Sequence, residues 1–451
     1  MKKILKKCLI TILCLSAFTY AACGGKSDSD SESGNSITSE SFISEIDFDS
    51  ESFISESDSE NSILSEIGTS EVMEEDVDVT TLVDFVVEVE TGRDIRVLQL
   101  SDPQLIDYTQ VREGDEVSSI YSPEKTEEYC YRYIRQVVER YDPDLIIVTG
   151  DIVYGKFDDN GSMLKEYVAF METLETPWAP VFGNHDNESA MGADWQCQQF
   201  VEAENCLFEQ RSLTGNGNYT VGLVQGDELK RVFFMMDSNG AAQMSLETIS
   251  NAHSKREVGF GDDQIEWYKE TATEIITKSP KTKLSFAFHI QLAAFYYALS
   301  EYTSYPLLEQ GLEEAKVNLD ENKEAAENGD FGYIGAPTKS AWDHFYEVFD
   351  SFTELGVDSV FVGHEHNNSA SINVAGIRLQ FGQKSSQYDR FNKVIDGGVI
   401  ENNKVVGGKI IGGYNHEGTP IMGGTKITIL EEDGSIGGDT GLILWQEDWG
   451  N

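Results

Sequence analysis

The chain has 451 residues, with 33 Lys and Arg against 79 Asp and Glu and a formal charge of -46 at neutral pH. So acidic a balance argues against a nucleic-acid partner, which needs basic surface to displace counterions from phosphates, and against docking on anionic membrane through a polybasic patch. Hydrophobic residues at 40% and aromatics at 11% still suffice for a buried core, so most of the chain is expected to fold.

The charge is unevenly spread. Lys2, Lys3, Lys6 and Lys7 precede an apolar run from Cys8 to Ala22, which ends in Tyr20-Ala21-Ala22-Cys23-Gly24. A basic start, an apolar stretch of this length and small residues at a cut site describe an export signal over residues 1–23, and the stretch is short of the roughly 20 residues a membrane span needs. A Cys after two alanines and before two glycines resembles the lipobox of bacterial lipoproteins, with Tyr20 where that motif usually has Leu. The resemblance implies a lipid anchor on Cys23 and hence an exported, extracytoplasmic or cell-surface protein held to the membrane. A plain secretion signal is the alternative.

Residues 24–78 carry 17 acidic residues against Lys26 alone, and Ser with Asp and Glu fills 33 of the 55 positions. Ser39-Glu40-Ser41-Phe42-Ile43-Ser44-Glu45 recurs at Ser50 to Glu56. Such a segment buries too little apolar surface to offset the entropy of ordering, and it reads as a disordered tether that lifts a folded domain, residues 79–451, away from the envelope. That domain keeps a charge of -34 and three cysteines, Cys130, Cys197 and Cys206. Export permits a disulfide, for which Cys197 and Cys206 are the only close pair.

From about residue 93 the pattern alternates strand, loop and helix. Ile95 to Leu100 alternates as a strand and runs into Ser101-Asp102-Pro103-Gln104. Residues 124–141 follow the start signal Ser122-Pro123 and read as a helix that stops at Asp142-Pro143. Asp144 to Thr149 is a buried-type strand ending at Gly150-Asp151, and Trp178 to Phe182 leads to Gly183-Asn184-His185-Asp186. Leu284 to Phe288 leads to His289, and Ser359 to Val362 leads to Gly363-His364-Glu365-His366. Turns favour Asp and Asn, so one such ending means little. Five in order, holding four of the seven histidines, are not explained by chance placement. Open α/β sheets place their sites at the carboxyl ends of strands. Carboxylates with imidazoles suit Fe, Mn or Zn, whereas oxygen-only cages suit Mg or Ca. Two cations about 3.5–4 Å apart sharing a carboxylate can clamp a phosphoryl group.

In this order, Asp102-x-Gln104, Gly150-Asp151, Gly183-Asn184-His185-Asp186, His289 and Gly363-His364-x-His366 resemble the motifs of the calcineurin-like metallophosphoesterase superfamily. Gly217-Asn218-Tyr219, Met236-Asp237-Ser238 and Gln264-Ile265-Glu266-Trp267 look like its purple-acid-phosphatase-related branch. The resemblance covers about residues 93–430. It implies an α/β fold, the four-layer α/β/β/α metallophosphoesterase sandwich, and a binuclear metal-dependent phosphoesterase in which a metal-bound hydroxide attacks a phosphate ester. Two metal ions, Fe, Mn or Zn, would be shared by Asp151. Asp102 and His366 would complete one site, and Asn184, His289 and His364 the other. His185 would touch the phosphoryl oxygen or protonate the leaving group, oriented by Asp186.

Two positions depart from the family pattern. Gln104 stands where a His ligand is usual, and a neutral amide oxygen is the weaker donor. Purple acid phosphatases also lack that His and use a Tyr three residues after the shared Asp, where this chain has Tyr154. Tyr154 is therefore either a ligand to Fe(III) or an ordinary loop aromatic. Gln291 replaces a Pro often found two residues after the His of that ending.

His253, His344 and His416 lie outside the motifs, and Trp178 and Trp267 read as core. Phe295-Tyr296-Tyr297 shapes either the core or the pocket. Residues 296–340 read as an insertion, a helix within Leu312 to Asn328 and then a Gly-rich loop, of the kind that sets substrate choice. Thr425 to Leu430 is expected to close the second sheet, and residues 432–451 have no assigned role. The alternative function is a surface binding protein that keeps the phosphoesterase fold with impaired catalysis, as Gln104 would allow. A nuclease conflicts with the acidity.

Overall fold

Apolar residues at every position of Leu145 to Val148, and at alternate positions elsewhere, build strands that two packed sheets must bury. In the computed structural model, which describes residues 78–111, 126–239, 259–304, 316–335, 345–386 and 423–444 together with four short strands between 394 and 412, the larger sheet has seven strands. Their spatial order is β1 (Phe85–Val89), β5 (Tyr219–Gln225), β6 (Glu228–Met235), β7 (Lys283–Ala287), β10 (Val357–Val362), β12 (Ile377–Phe381) and β11 (Ser371–Val374). The smaller sheet runs β18 (Gly441–Leu444), β17 (Gly423–Ile429), β2 (Ile95–Leu100), β3 (Leu145–Val148) and β4 (Trp178–Pro180). Strands β2, β3 and β4 are parallel to one another, as are β6, β7 and β10.

Strand β6 explains the layering. Phe233 and Met235 face a core shared with the smaller sheet, whereas Val232 and Phe234 face a second core on the opposite side. Ile265, Tyr268, Ala272 and Ile275 of helix α4 (Asp262–Lys278) fill that outer core. Helices α1 (Thr126–Tyr141), α2 (Ser162–Glu172) and α3 (Ala193–Glu202) cover the far side of the smaller sheet through Ile134, Val137, Tyr167 and Phe200. The result is the four-layer α/β/β/α sandwich, in which each fully buried large apolar side chain contributes about 1.5–3 kcal/mol. Arg231, fully buried between the layers, forks onto Asp358 at 2.6 and 2.7 Å and also reaches Ser285 and the Gly434 carbonyl.

Some local expectations change. The helix expected within Leu312 to Asn328 is confined, among the described residues, to α6 (Lys323–Asn328). Before it, β8 (Val317–Asn318) pairs with β9 (Tyr333–Ile334). Asn318 and Asn322 each turn a side-chain oxygen onto backbone N–H groups, which starts a turn and a helix separately in place of one long helix. Within 432–451, the described residues up to Leu444 do have a structural role: β18 pairs with β17 at the sheet edge, and β17 pairs antiparallel with β2, closing that sheet as expected for its stretch. Strand β1, ahead of the first expected strand, pairs with β5. The β11–β12 hairpin turns on Ala375-Gly376, both at positive φ, 54° and 92°, the geometry of a two-residue primed turn. Strands β13 (Val394–Asp396) with β16 (Lys409–Gly412), and β14 (Val399–Glu401) with β15 (Lys404–Val406), form two further antiparallel pairs. Helices α5 (Ala293–Leu299) and α7 (Asp350–Glu354) complete the outer layer through Phe295, Leu299 and Phe352.

The export signal, Cys23, all but the last residue of the tether, and His253, His344 and His416 lie outside the described residues. Cys197 and Cys206 are free, buried thiols. Cys197 Sγ lies 3.2 Å from Gln210 Oε1, and Cys206 is held against β4 by a bridge to Trp178. Burial pushes the Cys197 thiol up to about 12.

Candidate metal centre

Strands β2, β3, β4, β7 and β10 deliver Asp102, Asp151, Asn184, His289 and His364 to one edge of the sandwich. The sheets are tied there by Gln99, whose Nε2 donates to the Val362 carbonyl at 3.0 Å. Parallel strands end on the same side, so their following loops must meet. Asp102, Gln104, Asp151 and His364 all have left-handed backbone, with φ of 50°, 47°, 51° and 72°. Such conformations cost non-glycine residues on the order of 1–3 kcal/mol each and persist where the surroundings hold them. Here the loops after β2 and β3 keep pairing: Asp102 N donates to the Gly150 carbonyl, Gln104 N to the Asp151 carbonyl and Tyr154 N to the Leu105 carbonyl. Gly150 has φ +83°, and a Cβ there would stand 2.7 Å from His289 Nδ1. A Cβ on Gly183 would fall on Asp151 Oδ1, so both glycines are required by close packing of the ligand loops.

Two groups of donor atoms result. Asp151, His289 and His364 bring one donor atom each to within 4.8 Å of one another, and Asp102, Asp151 and His366 do the same. His289 Nε2 lies 3.3 Å from Asp151 Oδ2 and 3.1 Å from Asn184 Oδ1. His366 Nε2 lies 3.3 Å from Asp102 Oδ1. Gln104 stands beside this second group: its Nε2 donates to Asp151 Oδ2 at 2.9 Å and lies 2.9 Å from His366 Nε2. Further bonds fix the carboxylates. His185 N donates to Asp151 Oδ1 at 2.8 Å, His364 N donates to Asp102, and Ser101 Oγ donates to Asp102 Oδ2.

This donor set fits cations. His289 Nδ1 lies 2.7 Å from the Thr149 carbonyl, which can only accept, so Nδ1 carries a proton. A neutral ring then turns the bare lone pair of Nε2 toward two oxygens, so that three electron-rich atoms converge. Without a cation the ring must take up a second proton. Burial opposes that charge, but Asp151 overrides it and raises His289 to about 10. His364 goes the other way: burial and the neighbouring His289 lower it to about 3, so its lone pair is available. His364 Nε2 and Asn184 Nδ2 are buried and have no hydrogen-bond partner among the described residues. Burial by itself would raise Asp102 and Asp151, but the nearby histidines hold both below the usual carboxylate range.

Asp186 does not do what the sequence suggests. Its carboxylate accepts from Val153 N at 3.0 Å and Gly183 N at 2.8 Å, which staples the loops after β3 and β4 together. Burial and the Asp151 charge push Asp186 up to about 7. The carboxylate on His185 is that of Glu188, with Oε2 2.9 Å from Nδ1, because the short helical turn Asp186–Glu188 brings the residue three places on to the ring. The Tyr154 ring stacks on a face of the His185 ring, with centroids 4.1 Å apart at 26°, and also touches Phe157.

The other motifs meet behind the His289 loop. Gln264 Nε2 donates to Asn218 Oδ1 at 2.7 Å and to the Asp237 carbonyl, while Ser238 Oγ accepts from Ile290 N at 2.9 Å. Trp178 is fully buried, and Trp267 packs edge-on to Phe234. Phe295 meets Phe381 in the outer core. Sequence reasoning missed Glu188, Glu365 and Lys384. The i,i+3 spacing to His185 could have found Glu188. Lys384, which is buried and donates to the Asp102 carbonyl at 2.8 Å, left no local signal.

A two-sheet sandwich with two candidate metal-binding groups of carboxylates and imidazoles at one edge is a metallophosphoesterase scaffold, and the family profile of the calcineurin-like phosphoesterases matches residues 95–368. The chain belongs to that family. It is similar to phosphatase DCR2 of Saccharomyces cerevisiae, 24% identical over 52% of this chain and 38% of the yeast protein. It is also similar to two Arabidopsis thaliana proteins. Probable inactive purple acid phosphatase 28 is 29% identical over 33% of this chain and 42% of its own length, and probable inactive purple acid phosphatase 14 is 22% identical over 63% and 68%. The chain thus spans less than half of the yeast protein and of the first Arabidopsis one. Among solved structures, a dimetal phosphatase from Danio rerio aligns with a TM-score of 0.38 at 12% identity, covering 65% of this chain and 89% of that one.

Proposed function

We propose that the chain hydrolyses phosphate esters as a binuclear metal-dependent phosphoesterase. The observation that carries this reading is the pair of buried donor groups sharing Asp151. Asp102, Asp151 and His366, with Gln104 beside them, would hold one cation of Fe, Mn or Zn type, and Asp151, Asn184, His289 and His364 the other. When bound, such a pair offsets the charge of phosphoryl oxygens and lowers the pKa of water.

The chain's own residues set the rest. Thr149 fixes the tautomer and ring plane of His289, as hydrogen-bonded partners of ligand imidazoles do. His185, attached by its backbone to Asp151 and by Nδ1 to Glu188, turns Nε2 away from Glu188 toward a phosphoryl oxygen or leaving group. Glu188 then positions His185. Hydrogen bonds to charged groups are worth about 1.5–3 kcal/mol, and Glu188 is partly exposed, so Glu188→Gln is expected to lower kcat about tenfold. KM and metal content should stay close to wild type. A rise confined to KM would show that Glu188 acts on substrate binding instead.

The function itself is tested by elemental analysis of the purified protein together with hydrolysis of p-nitrophenyl phosphate and bis-p-nitrophenyl phosphate. Two metals per chain, and turnover that disappears on chelation and returns with added metal, are expected. Gln104 favours a second reading, a binding protein with impaired catalysis on the same scaffold. That reading predicts no turnover with Mn, Fe or Zn supplied in excess, an outcome that would replace the first.

A further inference from the structure

The loops carrying His289 and the His364–His366 pair are joined by a buried polar contact that the chemistry above does not use. Glu365 stands between the two histidines and is only 4% exposed. Its Oε1 accepts from Gln291 Nε2 at 2.9 Å and lies 3.4 Å from the Tyr296 hydroxyl, which donates to it. Gln291 follows His289 by two residues and is fully buried, and Tyr296 lies in the helix α5 that starts directly after it. Backbone bonds run alongside: Gly363 N donates to the His289 carbonyl at 3.0 Å, and Glu365 N donates to the Gly363 carbonyl at 2.8 Å. Across this junction the rings of His289 and His364 meet edge to face, with centroids 5.2 Å apart. An apolar residue would fill the space of Glu365 without the desolvation that a buried carboxylate suffers. The carboxylate supplies a directional link between two loops whose imidazoles must stay in register.

We infer that Glu365 is a positioning residue which, through Gln291 and Tyr296, holds the His289 loop and the His364–His366 loop at the spacing a cation pair requires. The inference rests on the dinuclear reading of the site. It accounts for Gln291, which departs from the family's usual Pro at that place and provides the amide that Glu365 needs.

The test uses the whole chain, stripped with chelator and titrated with MnCl2 or ZnCl2 by calorimetry. Thermal unfolding is followed in parallel with chelator and with metal. Glu365→Ala is expected to weaken metal binding by about 10- to 100-fold. The stabilisation conferred by metal should shrink by more than the melting temperature falls in chelator. Glu365→Gln combined with Gln291→Glu, which rebuilds the amide and carboxylate pair with the partners exchanged, should recover most of the affinity. Gln291→Leu attacks the same contact from the other loop and serves if Glu365→Ala does not fold. Wild-type affinity in both Glu365→Ala and Gln291→Leu overturns the inference, as does a lower melting temperature in chelator with unchanged affinity. A wild-type chain that takes up no metal instead overturns the dinuclear reading, and this inference with it.

Discussion

Asp151→Asn is expected to empty both metal positions and to lower phosphoesterase turnover by about 10³-fold or more, since a metal pair supplies several kcal/mol to such reactions. Asp151 alone belongs to both donor groups. Its two oxygens are already divided, with Oδ1 accepting from His185 N while Oδ2 faces His289 Nε2 and Gln104 Nε2. An asparagine keeps the size and the acceptor for His185 N but loses the negative charge and one of the lone-pair-bearing oxygens. Removing a ligand of one group only, as in His366→Ala, should leave the other cation bound. Elemental analysis of the two variants separates the cases, with circular dichroism confirming that each is folded. Two metals retained in Asp151→Asn would show that Asp151 does not bridge.

His185→Ala is expected to act in the opposite way, keeping metal content while kcat falls about 10²- to 10⁴-fold, the range that general acid–base groups contribute. Alanine keeps the backbone N–H that donates to Asp151, so the shared carboxylate stays in place. What disappears is the imidazole held between the Glu188 carboxylate and the Tyr154 ring. Single-turnover kinetics with metal-saturated protein measure the chemical step directly. If His185→Ala loses metal in proportion to activity, the ring supports the ligand loops and does no chemistry of its own.

Most of the donor set was legible because its signals are local. A run such as Leu145-Ile146-Ile147-Val148, short, rich in β-branched residues and bounded by Asp142-Pro143 and Gly150, reads as a buried strand, and the Gly-Asp that follows is a tight turn in which backbone and carboxylate are fixed together. The glycines were readable for the same reason, since Gly150 and Gly183 lie where neighbouring loops leave no room for a Cβ. For Asp186 the resemblance implies a carboxylate that orients His185, and the structure places it elsewhere. The turn that follows instead carries Glu188 to the ring and points Asp186 at the backbone of Val153 and Gly183. Over the described residues 316–328 the many Glu, Lys and Ala favour a helix longer than the one formed, because the two Asn caps that divide the stretch act only where the backbone already turns.

The sequence by itself determined the class of fold, the family and which residues stand at the strand ends as candidate donors, because strand ends and their turn residues are written in consecutive positions. It also separated the acidity of the Ser-rich segment from that of the domain. Only the tertiary structure decided which donors face one another. Gln104 and His366 stand 262 positions apart, yet their side-chain nitrogens lie 2.9 Å apart once β2 and β10 end at the same edge. Glu365 and Lys384 became visible in the same way. Each acts through contacts set by left-handed loops and by the packing of two sheets, and that geometry has no period or spacing in the sequence from which it could be read.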